Sequence, residues 1–457
     1  MMLIHNYPVK LYKKGRRKMK MYKIHLSLLT ALLLANNTAI GDTIGEAFDN
    51  GKFSGQFRTF YIDRTFSGTL ENNRNSLAIG GHLGYETAAW NGLSLGARVY
   101  STNFMEIHGD DPHTASSYDP SLFGDNFDSY TFMGELYANY KLNNTNIKIG
   151  RQKLDTPLAG ADDARMLASL FEAVVVSNTD LKDTTLIAAH VTKESVGTFG
   201  NAYAPAGPLG LQSGYGLGFA DATSGRFRDM GNVALGGDVN TDGVSVAAVV
   251  YSGMPGLKLQ AWDYYAYDIL NALYLQADYG WNATESLKLN ASAQYINESD
   301  VGDSLAGNVD SNFWAAKLGA NYGDMGIYAA YSQTGSSDNS PATKGGIITP
   351  WGGMPAFTQA MATRHQFFAD TDSWKVGASY NFKNLGLPLL ASVYYTAFDI
   401  GANNTYTNTA FKASESGFDM TYSLAKNAEI RLRANYPIDF KPGLDWDEYR
   451  VIFNYNF

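Results

Sequence analysis

The chain of 457 residues contains no cysteine. That absence excludes disulfide scaffolds, zinc ribbons, thiol nucleophiles and lipid attachment through an N-terminal cysteine. Charge is scarce as well. Only 17% of residues are charged and the formal net charge is −9, which argues against a nucleic-acid binder with its basic face. Beyond the N-terminal region no segment approaches the roughly 18–20 consecutive apolar residues that a membrane-spanning helix needs. What is plentiful is aromatic and small: 30 Tyr, 24 Phe and 46 Gly against 13 Pro. So many aromatic side chains can bury surface, which excludes general disorder. Length alone suggests two or three soluble domains, but Tyr, Gly and Asn richness with few charges points to one large β-structure.

The first 41 residues carry eight basic side chains (Lys10, Lys13, Lys14, Arg16, Arg17, Lys18, Lys20, Lys23) and no acidic one. An apolar stretch from Leu26 to Ala35 follows, then Ala39-Ile40-Gly41. A positive region, a short apolar core and small residues at −3 and −1 read as a secretory signal peptide, residues 1–41, cut after Gly41. The basic lead is long, so Met19 or Met21 is an alternative start. Removing eight of the 35 basic residues leaves 27 against 44 acidic ones, a mature net charge of −17. An exported, cysteine-free chain of this size either stays in the periplasm or closes into an outer-membrane barrel.

The period of the apolar residues decides between these. At the C-terminus Tyr449, Val451, Phe453, Tyr455 and Phe457 form one face, and Glu448, Arg450, Asn454 and Asn456 the other, with Ile452 the exception. Such alternation is a strand with one apolar and one wet side. It recurs in Leu77–Tyr85, Leu93–Val99, Leu287–Tyr295, Trp374–Phe382 and Ile430–Tyr436. Segments of about ten residues with apolar faces and aromatic ends are the signature of a transmembrane β-barrel. Short connections (Trp90-Asn91-Gly92, Asn143-Asn144-Thr145, Gly253–Gly256, Gly323-Asp324, Ala425-Lys426-Asn427) alternate with long polar ones near 102–129, 154–171, 193–242, 297–310, 333–372 and 397–415. Short periplasmic turns and long extracellular loops are the outer-membrane arrangement. The expectation is an all-β chain, residues 42–457 forming one antiparallel barrel of about 18 strands. Val233–Val239 is left in the 193–242 loop, because an extra strand there breaks the up-down parity.

Strand parity also assigns the lumen. Arg58, Arg98, Lys148, Lys258, Lys288, Lys317, Lys375, Arg431, Arg433 and Arg450 are expected to point inward, with Glu86, Glu135, Asp278, Asp419 and Glu429. The wall is then basic and the surplus acid lies in loops, so an acidic mouth stands over a wall offering anion contacts. Asp263 falls on the apolar parity of its strand, which puts the register near that strand's end in question. A barrel this wide encloses an aqueous channel and needs an inward-folded loop to select. The segment after Gly150–Leu158, with Asp162, Asp163 and Arg165, is the candidate, since opposed charges at a constriction orient dipolar solutes.

Other motifs carry little. Gly92-Leu93-Ser94-Leu95-Gly96 matches a serine-hydrolase pattern that requires a strand-to-helix elbow, yet it begins an alternating strand. Asp238-Val239-Asn240-Thr241-Asp242-Gly243 imitates a calcium loop, but position twelve is Val249 rather than Glu, excluding an EF-hand. A looser calcium site in that loop is the only cofactor considered; no catalytic or metal residues are assigned. No glycine-rich phosphate cradle follows a strand.

Several stretches resemble one known family. Gly150–Leu158 with Asp162-Asp163-Ala164-Arg165-Met166-Leu167 resembles the third-loop region of OprD-type outer-membrane porins. Tyr264–Asn271 resembles that family's hairpin tip, and Asp372–Gly377, Asn381-Phe382 and Leu385–Pro388 its late strands. The ending from Ile430-Arg431-Leu432-Arg433 to Glu448-Tyr449-Arg450 fits as well. The major outer-membrane protein of Campylobacter-like bacteria is a second resemblance. The family implies 18 strands, a narrow eyelet, an inner basic ladder and uptake of small carboxylate-bearing solutes. Arg165 would take the eyelet role, and Arg58, Lys288, Lys317, Lys375, Arg431, Arg433 and Arg450 the ladder role. Lysine stands here where the family favours arginine, which weakens bidentate carboxylate binding. The C-terminal aromatic implies insertion by the barrel assembly machinery into outer-membrane lipid, as monomer or homotrimer. The expected function is passive diffusion of small hydrophilic solutes without covalent chemistry. The alternatives are a surface-binding adhesin, or a lipid hydrolase marked by a Ser/His pair on the outer barrel face.

Overall fold

The computed structural model describes residues 43–109, 111, 117–203 and 224–457. The segment read as a signal peptide, including its cleavage point, lies outside the described residues.

Each alternating segment is a strand, because backbone crossing lipid must pair every N–H and C=O, and a closed antiparallel ladder does so without edges. In chain order these are β1 (Lys52–Gly68), β2 (Asn72–Glu86), β3 (Leu93–Met105), β4 (Tyr130–Leu142), β5 (Thr145–Gln152), β6 (Leu170–Asn178), β7 (Thr184–Ser195), β8 (Arg228–Asp229), β9 (Val244–Met254), β10 (Leu257–Ala266), β11 (Leu270–Asn282), β12 (Leu287–Asp300), β13 (Asp310–Tyr322), β14 (Met325–Thr334), β15 (Thr371–Asn381), β16 (Leu389–Ile400), β17 (Phe411–Ala425), β18 (Ala428–Ile438) and β19 (Leu444–Asn456). β8 is a two-residue strand on the end of β7, while β7 itself pairs with β9. β1 pairs with β19, from Gln56 opposite Asn456 to Gly68 opposite Leu444. The wall is therefore a closed antiparallel barrel of 18 strands. Val233–Leu235 belong to a short helix, α3 (Met230–Leu235), after α1 (Ile44–Asp49) and α2 (Gly200–Tyr203), so the doubtful extra strand is absent and parity holds.

The periplasmic turns are as tight as their residues allow. Asn91 and Gly92 both adopt positive φ, 49° and 85°, the pair a two-residue hairpin turn with the strands' own twist requires. Outward positions are apolar and exposed, among them Leu83, Leu318, Leu390 and Val451. Ile452, which breaks the alternation, points inward. It is buried in a cluster with Phe60, Ile62, Met166, Leu167 and Leu170, so its apolar side chain is explained by an inward-folded loop. Asp263 involves no register slip: Trp262 and Tyr264 are buried beside it, and exposed Asp263 accepts from Asn271 Nδ2 at 2.9 Å.

Candidate pore constriction

The expected loop is not alone in folding into the barrel. The expected one, residues 153–169 between β5 and β6, meets a second, residues 335–370 between β14 and β15. Their main chains touch: Gly160 N–H donates to Trp351 O at 2.9 Å, and Ala159 bridges Trp351 and Gly352. Gly352 sits at φ +77°, and a Cβ there would lie 2.3 Å from Gly160 O. Only glycine fits that crossing. The second loop is tied to the wall through its backbone. Glu298 accepts from Ile348 N–H, Gln294 from Phe357 N–H, and Glu415 from the N–H groups of Met361, Ala362 and Thr363.

Side chains then lock the loops together. Arg364 grips Asp162 with both Nη atoms, at 3.0 and 3.2 Å, and lies 4.1 Å over the Phe199 ring. Asp163 pairs with Arg58 at 2.7 Å. Burial acts to raise its carboxyl, but the Arg58 guanidinium more than offsets that and holds it below the ordinary carboxylate range.

Arg165 does not reach open water. It is fully buried and contacts Glu448 at 3.0 Å, where Arg64 and Arg450 of the wall converge on the same carboxylate. Arg64 also pairs with Asp119 at 2.7 Å. The parity that placed Arg58 and Arg450 inward gave their side, not what covers them. Arg58 bonds Asp163 and the Arg165 carbonyl of the first loop, Arg450 meets that loop's Arg165 through Glu448 and touches Met361 of the second, so the three pin the loops rather than form a water-facing track. Arg431 and Arg433 share Asp419, with Nε atoms at 2.8 and 3.0 Å from its oxygens. Arg98 pairs with Glu135 at 3.1 Å and meets His82.

The lysines differ. Lys375 donates to the Gln359 carbonyl and lies 4.8 Å over the Tyr394 ring, and Lys317 lies 4.5 Å over Phe357. Both stand opposite Ala330 on one rung of the wall. Lys288 is exposed near the periplasmic end of β12, as is Lys258 near that of β10, while Lys148 lies 3.6 Å over Tyr137. A cavity of 470 Å³ opens between the loops and the wall, lined by Asp162, Arg364, Lys375, Tyr394, Asp419 and Arg433 among others. A second, of 300 Å³, is lined by Lys317, Asn290, Asn321 and Phe357 and shares Tyr328 and Ser379 with the first. Both signs of charge face the upper cavity.

Several residues here escape sequence reading: Arg64, Asp119, Arg364, Glu415 and the part of Glu448 as shared partner of three arginines. The one available signal was the apolar run Ile347-Ile348 to Trp351-Gly352-Gly353-Met354 inside an otherwise polar loop, which marks burial. In the 238–243 segment, Thr241 N–H donates to Asp229 Oδ1. Among the described residues no three acidic or histidine side chains gather where a metal ion would sit.

A closed barrel with an apolar outer face and a charged constriction defines an outer-membrane porin. The profile of the OprD family of outer-membrane porins matches residues 46–202 and 208–457, and the chain belongs to that family. Among solved structures, Pseudomonas aeruginosa OpdK with vanillate is similar, at 18% identity and TM-score 0.69, covering 90% of this chain and 99% of that one. OccK9 (OpdG) of the same organism gives 18%, 0.70 and the same coverage. OccK2 (OpdF) in complex with glucuronate gives 17% and 0.68, covering 90% and 98%. No curated protein matches. The barrel resides in the bacterial outer membrane.

Proposed function

We propose that the porin passes small carboxylate-bearing solutes, anionic or zwitterionic, by diffusion through the two connected cavities, with no covalent step. The carrying observation is the division of labour among the cations. Arg431, Arg433, Arg58, Arg165 and Arg450 face carboxylates of the chain itself. Lys317 and Lys375 face aromatic rings and a carbonyl on the cavity walls. An anion in transit therefore meets ammonium groups beside flat apolar platforms. That relatives were solved with vanillate and with glucuronate, both carboxylates, supports this reading. The aromatic end of β19 supports insertion by the barrel assembly machinery.

A Ser/His pair does stand on the outer face: His190 Nδ1 is 3.1 Å from Ser245 Oγ. Ser245 is paired on both sides, with His190 and with Tyr265, so its own N–H serves the ladder rather than an oxyanion. Ser94 bonds Glu86 instead. Both facts favour conduction over lipid hydrolysis.

The test is the reversal potential of the purified barrel in a planar bilayer under a salt gradient. Anion preference, and benzoate permeation that falls at least severalfold in a Lys317→Gln/Lys375→Gln variant, are expected. Cation preference with no effect of that pair overturns the reading.

A further inference from the structure

The outer face carries a second pattern that conduction does not use. At its extracellular level an aromatic girdle runs around much of the barrel: Tyr449, Tyr395, Trp374, Tyr331, Trp314, Tyr295 and Tyr265 are all exposed. Neighbours touch, as Trp314 with Tyr331 at 5.4 Å and Trp374 with Tyr395 at 5.2 Å. Such belts sit where lipid headgroups meet acyl chains. Followed by the strand register from Tyr265 across β9, β7, β6 and β5, the row passes Ser245, His190, Val174 and Ile149, and Lys193, Glu172 and Arg151 stand two to three residues nearer the extracellular end. Beyond these lie Thr131 and Ser101, hydrogen-bonded to each other at 2.8 Å. Tyr and Trp are therefore missing from this sector at girdle depth, and its lipid side carries aliphatic side chains with a polar and charged cluster just above them.

Within that sector Arg151 and Lys193 flank Glu172, at 3.7 and 3.3 Å. Their side chains stay 38% and 44% exposed. The guanidinium is held in place, with Nη1 donating to Met133 O at 3.3 Å and Phe227 stacked 4.3 Å from it. Arg226, next to that phenylalanine, is exposed. Asp229, paired in register with Lys193, spends its Oδ1 on the N–H groups of Gly231 and Thr241. The sector is thus net positive at headgroup depth, where a basic side chain meets little desolvation cost and attracts anionic lipid.

We propose that Arg151 and Lys193 form a binding site for the phosphate of an outer-leaflet lipid, seated in the gap in the aromatic girdle. Two cations around one carboxylate leave donors for phosphate oxygens, and the missing rings leave room for a headgroup against the wall. The proposal is independent of which solute the lumen carries.

The test is native mass spectrometry of the full-length barrel in mild detergent. The probes are a bisphosphorylated acyl-glucosamine disaccharide lipid and the same lipid with its phosphates removed. Preferential retention of the phosphorylated form is expected. It should fall about ten- to thirtyfold in Arg151→Gln/Lys193→Gln, which removes two basic groups from the headgroup level. Asp263→Asn, elsewhere on the outer face, leaves retention unchanged. Heat-modifiability on gels verifies that the variant barrels are folded. Equal retention of both lipids, or equal retention by the double variant, overturns the site. So does a pair of barrels that the double variant separates, which assigns the face to a second copy of the chain.

Discussion

Removing the Glu448 carboxylate should cost the barrel far more than removing any one arginine that touches it. The ion-paired set contains Arg64, Arg165 and Arg450 against Glu448 and Asp119, all with fully buried side chains at the Glu448 contacts. Three positive and two negative groups leave one net positive charge. Glu448→Gln raises that to two, with Asp119 the remaining anion of the set and bonded to Arg64. Arg165→Met lowers it to zero, and Glu448 keeps two guanidinium partners. Leaving buried charge uncompensated costs about 3–5 kcal/mol, whereas a neutralised set that loses one charged hydrogen-bond partner loses about 1.5–3 kcal/mol. Denaturant unfolding of the refolded barrel, followed by heat-modifiability, measures the difference. Glu448→Gln should unfold at clearly lower denaturant than Arg165→Met. Single-channel recording adds a second readout, because Arg165→Met frees the first loop in an intact wall and should raise conductance noise. If Arg165→Met proves the more destabilising, or Glu448→Gln is neutral, the charge accounting is wrong.

Other outcomes follow from the same geometry. Asp162→Asn breaks the bidentate grip of Arg364 and should increase conductance and current noise, with barrel stability changed by less than about 1 kcal/mol because the ladder is untouched. Gly353→Val drives a side chain into Pro157 and Leu158, whose backbone lies within 2.5 Å of a Cβ at that position, and should shift conductance by separating the loops. Leu318→Arg puts a charge on the lipid face of β13, where Leu318 is 65% exposed; folding into vesicles should weaken by about 2–4 kcal/mol. His365, in the second loop, is held neutral to about pH 3 by burial, against a bond to the Phe440 carbonyl that acts the other way. Its released form gains a proton near pH 6.5, so docking is full above that and weakens by about 1.4 kcal/mol per unit as pH falls toward 3. Channel noise should rise on acidification, and less so in His365→Phe.

Strand positions were legible because lipid and water impose opposite demands two residues apart. Tyr449, Val451 and Phe453 against Glu448 and Arg450 state both sides of the wall in six residues. The first loop was legible from its charges and its place after β5. The second was not, because Glu298, Gln294 and Glu415 hold its backbone from strands distant in sequence, and no local pattern announces a contact across 50 residues. Parity likewise cannot distinguish Lys375, beside a cavity, from Arg450, under a loop. That difference depends on where residues 153–169 and 335–370 settle, and Ile452 was a visible trace of the first.

The crossing of Gly160 with Gly352 has a further consequence. Where two main chains meet without side chains between them, the spacing of the two loops is set by peptide geometry rather than by rotamers. The charges beside it, Asp162, Arg364 and Lys375, hang on neighbouring positions that can change identity while the crossing stays put. Loop placement and charge preference are thus written in separate residues, so variation at the lining positions can retune which ions the pore favours while the two loops keep their places.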